Sequence, residues 1–317
     1  MAGTFSGGKL NFKPKLGKSD LFKYMSKSDD YKIIDETEEI FNKFGMDADI
    51  YPTNMDEANK LKSDIAKVGA DLLIIKQKHL GSDKLPALIE NFTNYLKEKN
   101  VDILDNSNVH DIIEQDNKYI VKYNRKELIT KYVVIAPGRT GAKWIQELAD
   151  KYNYEYLSRS IEIGVRVEVR KEILEDICKV IYDPTIFINT KTYNDQIRTF
   201  CTNPCGFVAK ENYNGYIYVN GHALKDIKSN NSNFAFITKI SLTEPVTNTR
   251  KYGEIIASIA NILGDRNHIV QLLRDLKLGR RSTMKRIDKS FIEPTLKDCL
   301  AGDLVLILPH RFITDIL

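Results

Sequence analysis

Apolar residues along this chain follow two rhythms, and the switch between them marks out the elements. Leu85, Leu88, Ile89, Phe92, Tyr95 and Leu96 recur at helical spacing, which predicts a helix over 84–99 with Asp83 as its cap and Pro86 in its first turn. A helix near 54–68 would turn Ala58, Leu61, Ile65 and Val68 inward, and Thr53 followed by Asp56 imitates a capping box. Asp35–Phe44 reads as another helix, closed by Gly45 at its C′ position. Asp71–Lys76, built on the apolar run Leu72–Ile75, reads as a buried strand. Short strands are predicted at Val101–Leu104, Val109–Ile113, Tyr119–Tyr123, Glu127–Ile129 and Tyr132–Ala136, with polar turns at 115–117 and 124–126, as in a meander.

The second half has a different texture. Ile161–Val169, Ile186–Ile188, Gln196–Phe200, Tyr216–Val219 and Asn233–Ile240 are strand candidates. Two helices should follow. One starts at Thr249 or Arg250, presents Tyr252, Ile255, Ile256, Ile259 and Leu263, and stops at Gly264. The other is capped by Asp265, presents Ile269, Leu272, Leu273 and Leu276, and stops at Gly279. Leu304–Leu308 reads as a last strand, and residues 1–20, rich in glycine and lysine, as a loop.

Composition narrows the classes. With 47 basic and 43 acidic residues the net charge is +4, which gives no global case for nucleic-acid or membrane binding. The apolar runs Leu72–Ile75, Val133–Ala136 and Leu304–Leu308 are too short to span a bilayer. The first residues lack the apolar segment of a signal peptide, and four cysteines in 317 residues do not make a disulfide scaffold. A cytoplasmic location is the expectation.

Tyr132–Gly141 is the most telling stretch: an apolar run leads into Ala136-Pro-Gly-Arg139, a turn that lets backbone approach a neighbour or ligand closely. It looks like the closing strand of an FAD-binding dinucleotide domain, and strand, helix, strand, meander, strand is the order expected of one. Seven further motifs accompany it in fixed order. They are His79-Leu-Gly-Ser-Asp-Lys-Leu-Pro86, Gly164-Val-Arg-Val-Glu168, Arg198-Thr-Phe-Cys-Thr-Asn-Pro204, Val219-Asn-Gly-His222, Asn233-Phe-Ala235, Gly279-Arg-Arg-Ser-Thr283 and Leu308-Pro-His-Arg311. Together, from Gly3 onward, they resemble a bacterial family of functionally uncharacterised FAD-dependent dehydrogenases, the NAD(P)/FAD-dependent oxidoreductases.

The resemblance implies an α/β (α+β mixture) fold: an incomplete Rossmann-like FAD-binding domain with a β-meander over 1–150, and a mostly antiparallel β substrate domain over 151–317 with helices at 250–278. It implies FAD as cofactor, NAD(P)H as a further possibility and a small-molecule substrate. By the family pattern Gly7, Gly8 and Lys9 lie against the flavin, Val109 offers its backbone to the adenine, and Ala136, Pro137 and Gly138 line the cofactor. No G-x-G-x-x-G occurs in the chain, although that fingerprint is what puts a helix N-terminus on the pyrophosphate. Family members extend further at both ends, so the expectation is an incomplete fragment that binds FAD weakly or not at all, with exposed sheet edges open to self-association. The alternatives are a catalytically inactive fragment and a flavin-independent RNA-binding or regulatory module.

Candidate chemistry follows from residue type. His79 and His222 are acid/base candidates because imidazole titrates near neutrality, with a structural hydrogen bond as the plainer reading. Arg166 and Glu168 share a strand face, as a cross-strand ion pair or with the arginine holding a carboxylate. Arg198 could face an anionic substrate. Cys201 and Cys205 fit no zinc spacing and read as free buried thiols. Lys277, Arg280, Arg281, Lys285 and Arg286 form a dense basic stretch, read as a solvated or cofactor-facing loop rather than an RNA contact.

Overall fold

A computed structural model of the chain describes residues 7–16, 19–156, 160–240, 242 and 248–317. Residues 1–6 and 17–18, read above as part of a loop, lie outside them. The fold is a mixture of helices and several antiparallel sheets, α+β in class. It divides into two compact units: residues 1–93 with 160–317, and residues 94–159.

In the larger unit, Lys9–Phe12 (β1) is a strand where a loop was expected, followed by the two-residue strands Lys15–Leu16 (β2) and Ser19–Asp20 (β3). Helix α1 (Lys27–Lys43) begins eight residues before the predicted Asp35, because Ser26 caps it by accepting from Asp29 N at 3.3 Å. After Ile50–Tyr51 (β4), helix α2 (Met55–Lys67) is capped by Asn54, which accepts from Asp56 N at 2.8 Å; Thr53 is not the cap. Its apolar face buries Ala58 against Leu72 and Ile181, while Val68, predicted inward, is exposed. The run predicted as one strand at 71–76 is two, Ala70–Leu73 (β5) and Lys76–His79 (β6), and they join different sheets. Helix α3 (Leu85–Glu98) packs Leu85 and Leu88 with Met46 and Leu80, and the boundary between units falls within it. Asp83 Oδ1 accepts from the backbone of Lys225 at 2.8 Å.

The smaller unit holds the predicted meander, Val109–Gln115 (β7), Lys118–Tyr123 (β8) and Lys126–Thr130 (β9), in the order β7-β8-β9. Helix α4 (Ala142–Tyr152) follows, and its Lys151 and Tyr152 reach Asp111 at 2.6 and 3.0 Å. Val101–Leu104 and Tyr132–Ala136, both predicted as strands, pair with no strand among the described residues. Their side chains face water: Val134 is 92% exposed and Tyr132 76%. A strand is stabilised by its neighbour, and neither run has one among the described residues.

Back in the larger unit, Ile161–Arg170 (β10), Thr185–Asn189 (β11), Gln196–Asn203 (β12), Tyr216–His222 (β14) and Asn231–Ile240 (β15) lie close to the predicted strands, while the short helix α5 (Glu175–Val180) and Phe207–Tyr213 (β13), the hairpin partner of β14, were not predicted. A five-stranded antiparallel sheet runs β10-β15-β12-β11-β5, so strands from both sides of residue 150 share it. Beside it stands the three-stranded sheet β1-β6-β4. Helix α6 (Thr249–Leu263) ends at Gly264 as predicted. The helix predicted after Asp265 is mostly absent: His268–Val270 (β16) is a strand, and only Leu273–Lys277 (α7) is helical. After Met284–Ile287 (α8), Cys299–Ala301 (β17) pairs with β16, the one parallel ladder among the described residues. Leu304–Leu308, predicted as a strand, begins with a 3-10 turn and leads into helix α9 (His310–Ile316). Phe312 and Ile313 of α9 complete a core with Ile256, Leu276 and Ile307. No helix among the described residues is long and apolar enough to cross a membrane.

Candidate functional site

A polar cluster gathers inside the larger unit where the two sheets meet the β13–β14 hairpin. Its geometry begins with an irregularity. Phe200 pairs with Ala235, but the next pair is Asn203 with Asn233, so β12 carries one extra residue. Such a bulge re-aims side chains, and it puts Cys201 at φ +50, a conformation that costs a residue with a Cβ. The Cys201 carbonyl then accepts from Arg166 Nη1 at 3.0 Å and from Asn203 Nδ2 at 2.7 Å.

Lys9 enters from β1. Its ammonium reaches Asp183 Oδ2 at 3.2 Å and Cys201 Sγ at 3.6 Å, and donates to the Thr202 carbonyl. Asp183 is fixed from behind: its other oxygen takes the Thr202 N–H at 2.6 Å, and its backbone exchanges hydrogen bonds with Gln77. Register places Lys9 directly opposite His79. That requires β1 and the loop after β6 to approach closely at Gly8, where φ is +65 and a Cβ would stand 2.9 Å from the Gly81 carbonyl oxygen.

His79 stacks on Tyr182, ring centroids 4.3 Å apart. Burial and the Lys9 ammonium push its pKa down to about 3, so the ring is neutral near pH 7. His79 is therefore a weak base, and the reading of a side chain that titrates near neutrality does not hold for it. Burial also lowers His222, which ends β14 opposite Phe207.

Arg166 forms no ion pair with Glu168. Glu168 turns to Thr295, with Oγ1 at 2.6 Å, and to Asn231 Nδ2 at 3.0 Å, while Arg166 turns to Asn233 and Asn220. Arg198 stays outside the cluster. It pairs with Glu162 at 2.8 Å and lies over the Phe200 ring, a sheet-surface ion pair. Cys201 and Cys205 are free but only half-buried; the buried thiol is Cys178, pushed up to about 12 by burial and by Asp183. No group of three or more His, Cys, Asp or Glu among the described residues could hold a metal ion.

The remaining predicted cofactor residues are elsewhere. Val109 lies in β7 of the smaller unit, and Ala136, Pro137 and Gly138 form an exposed turn there, Gly138 at φ +67. The basic stretch is anchored, not free: Arg280 and Arg286 both grip the fully buried Asp275, at 2.8 and 2.9 Å, and Ser282 joins them at 2.8 Å. Burial would raise the Asp275 carboxyl, but those three hydrogen bonds hold it at about 2. A surface hollow of about 390 Å³ is lined by Gly69, Asp71, Phe187 and Gln196 and includes no predicted site residue. Its one carboxylate, Asp71, is tied to Lys62 at 3.0 Å.

Sequence reasoning did not single out Gln77, Tyr182, Asp183, Asn203, Asn220 or Asn233. Asn203, Asn220 and Asn233 sit inside ordered motifs, and three asparagines in those motifs were the available signal. Comparison with protein-family models and with curated proteins finds no match for this chain.

Proposed function

We propose that this chain serves a flavin-dependent oxidoreductase acting on a small organic molecule, and that the cluster around Lys9 and Arg166 faces the reacting ligands. What supports the reading is convergence: side chains from four of the ordered motifs, Arg166, Cys201 with Asn203, Asn220 and Asn233, come into one network with Lys9 and Asp183, and His79 of a fifth lies opposite Lys9 in register. Burying polar groups such as Arg166 and Asn233, drawn from segments more than 60 residues apart, costs desolvation that an apolar core would not incur.

The residues fit FAD only in part. Lys9, held by Asp183, and the backbone at Gly8 suit the polar edge of a ring system. No glycine fingerprint opens a helix toward a pyrophosphate in this sequence, so no reaction step is drawn through the cofactor. A bound flavin would supply hydride transfer, with NAD(P)H as a further redox partner. Lys9 offers fixed positive charge, Arg166 orients, and neutral His79 accepts or donates a hydrogen bond without storing a proton. A cytoplasmic setting belongs to the same reading, as does self-association through the runs at 101–104 and 132–136, which have no strand partner among the described residues.

Flavin titration followed by fluorescence quenching tests it. Riboflavin and FAD should bind about equally, with a dissociation constant of roughly millimolar order, because the phosphates gain no anchor. Lys9→Ala should weaken both. Absence of any quenching up to that range would sink the flavin reading, and stoichiometric retention of FAD through purification would sink the weak-anchor part.

A further inference from the structure

The Arg166 guanidinium is a cation whose hydrogen bonds all run to neutral acceptors. Nη1 donates to the Cys201 carbonyl at 3.0 Å and to Asn233 Oδ1 at 2.8 Å, and Nη2 reaches Asn220 Oδ1 at a long 3.4 Å. Its Nε–H is shut off from water and has no partner among the described residues. Nε and Nη2 form one edge of the guanidinium, the edge that meets both oxygens of a carboxylate side-on. At Arg166 that edge is open at one end and loosely held at the other.

The carboxylates nearby are engaged elsewhere. Glu168 is bound to Thr295 and Asn231. Asp183 takes Lys9 and the Thr202 N–H. Glu211 is linked to the network through Asn220 Nδ2, at 3.4 Å. A desolvated cation without a touching counter-charge is costly, and the cost is relieved when an anion arrives.

Two further donors in the same network are open. Asn233 Nδ2 and Thr202 Oγ1 have no partner among the described residues, and these side chains are 0% and 1% exposed. Arg166 Nη1 fixes the Asn233 amide with its oxygen inward, so the unpaired atom stays the N–H. Gly221 keeps the group compact. A Cβ there would overlap the amides of Asn203 and Asn233 and stand 2.6 Å from Arg166 Nη1.

We propose that Arg166 anchors the carboxylate of a small organic acid through its Nε–Nη2 edge, with the Asn220 amide turning aside from Nη2. The inference names the substrate class of the proposed oxidoreductase and rests on that reading only for the word substrate. The carboxylate site itself stands without flavin.

The test is thermal unfolding of the full chain in sodium acetate and sodium succinate at constant ionic strength, with sodium chloride and inorganic phosphate as comparison arms. Both carboxylates should raise the midpoint, in proportion to the logarithm of concentration once above the dissociation constant. Arg166→Lys keeps the charge and removes the fork, and should weaken the apparent affinity at least tenfold. Asn220→Asp places a carboxylate beside Nη2 within the chain, and should abolish the response in a folded protein even if Arg166→Lys does not fold. No shift in the parent chain, an equal shift from chloride or phosphate, or a full response in Asn220→Asp overturns the proposal. Flavin plays no part in this readout, so failure here and failure of the flavin titration are separate results.

Discussion

His79 carries a consequence that a lone histidine in a sequence does not announce. Its folded pKa, about 3, lies below the ordinary 6.5 because burial and Lys9 disfavour the charged ring. Between those values the unfolded chain binds a proton that the folded chain does not, so stability must fall as pH drops from 6.5 toward 3. The slope from this one residue is at most about 1.4 kcal/mol per pH unit. His79→Phe keeps a ring against Tyr182 and removes the titration. Urea unfolding at pH 7 and pH 4.5 should show the parent losing more stability than the variant, and equal losses would mean the imidazole is not neutral and buried. Legibility at this scale divides along the same line. His79, Lys9, Arg166 and Cys201 stood out by residue type and motif, but whether each is charged, paired or strained depends on neighbours such as Tyr182 and Asp183, more than 100 positions away from Lys9 or His79.

Elements were legible where their stabilisation is local. The stripe from Leu85 to Leu96 became α3, and the alternation at 161–169 became β10. Helix α4 carried the same signal, with Ile145, Leu148 and Ala149 at helical spacing, and could have been read. Ile269–Leu276 misled because its apolar spacing suits a helix, while a parallel partner 31 residues on, Cys299–Ala301, draws 268–270 into a ladder. Tertiary pairing overrides periodicity there. Helix α9 shows how a short element is held. Phe312 is 1% exposed within the core, and Phe312→Ala should cost about 3–5 kcal/mol in chemical denaturation. Arg311 grips Asp195 and lies over the Tyr193 ring, while Asp315 on the same helix is buried. Burial raises the Asp315 pKa above 3.8, and Asp195 adds to the effect. The stability this carboxyl contributes is therefore present below its unfolded pKa and is lost as pH rises through the folded value. Asp315→Asn removes the ionisation, so its melting midpoint should exceed the parent's at pH 8 and converge with it at pH 4. An unchanged difference across that range would show that Asp315 ionises freely.

At the scale of the whole molecule two features stand unmatched among the described residues, an arginine edge without a touching counter-charge inside and two apolar runs without strand partners outside. The second kind has a direct physical outcome. Val101, Ile103 and Leu104 on one run, and Tyr132, Val134 and Ile135 on the other, are exposed beside a three-stranded meander. An unpaired run with apolar side chains in water is a template for another strand, and a second copy of the same run is the partner always present in solution. Sedimentation velocity over a tenfold concentration range should therefore show the chain self-associating. Leu104→Lys combined with Val134→Lys sets a charge on each run, as natural edge strands do to block pairing. Since both positions are exposed, the double variant should keep its stability within about 0.5 kcal/mol per site and shift the distribution to monomer. A parent chain that sediments as a monomer at every concentration would mean that the runs are covered by something other than themselves. Equal association in parent and variant would place the contact on a different surface. The same variants separate this behaviour from the chemistry of the larger unit: carboxylate stabilisation through Arg166 should survive Leu104→Lys and Val134→Lys intact, because none of its donors belongs to residues 94–159.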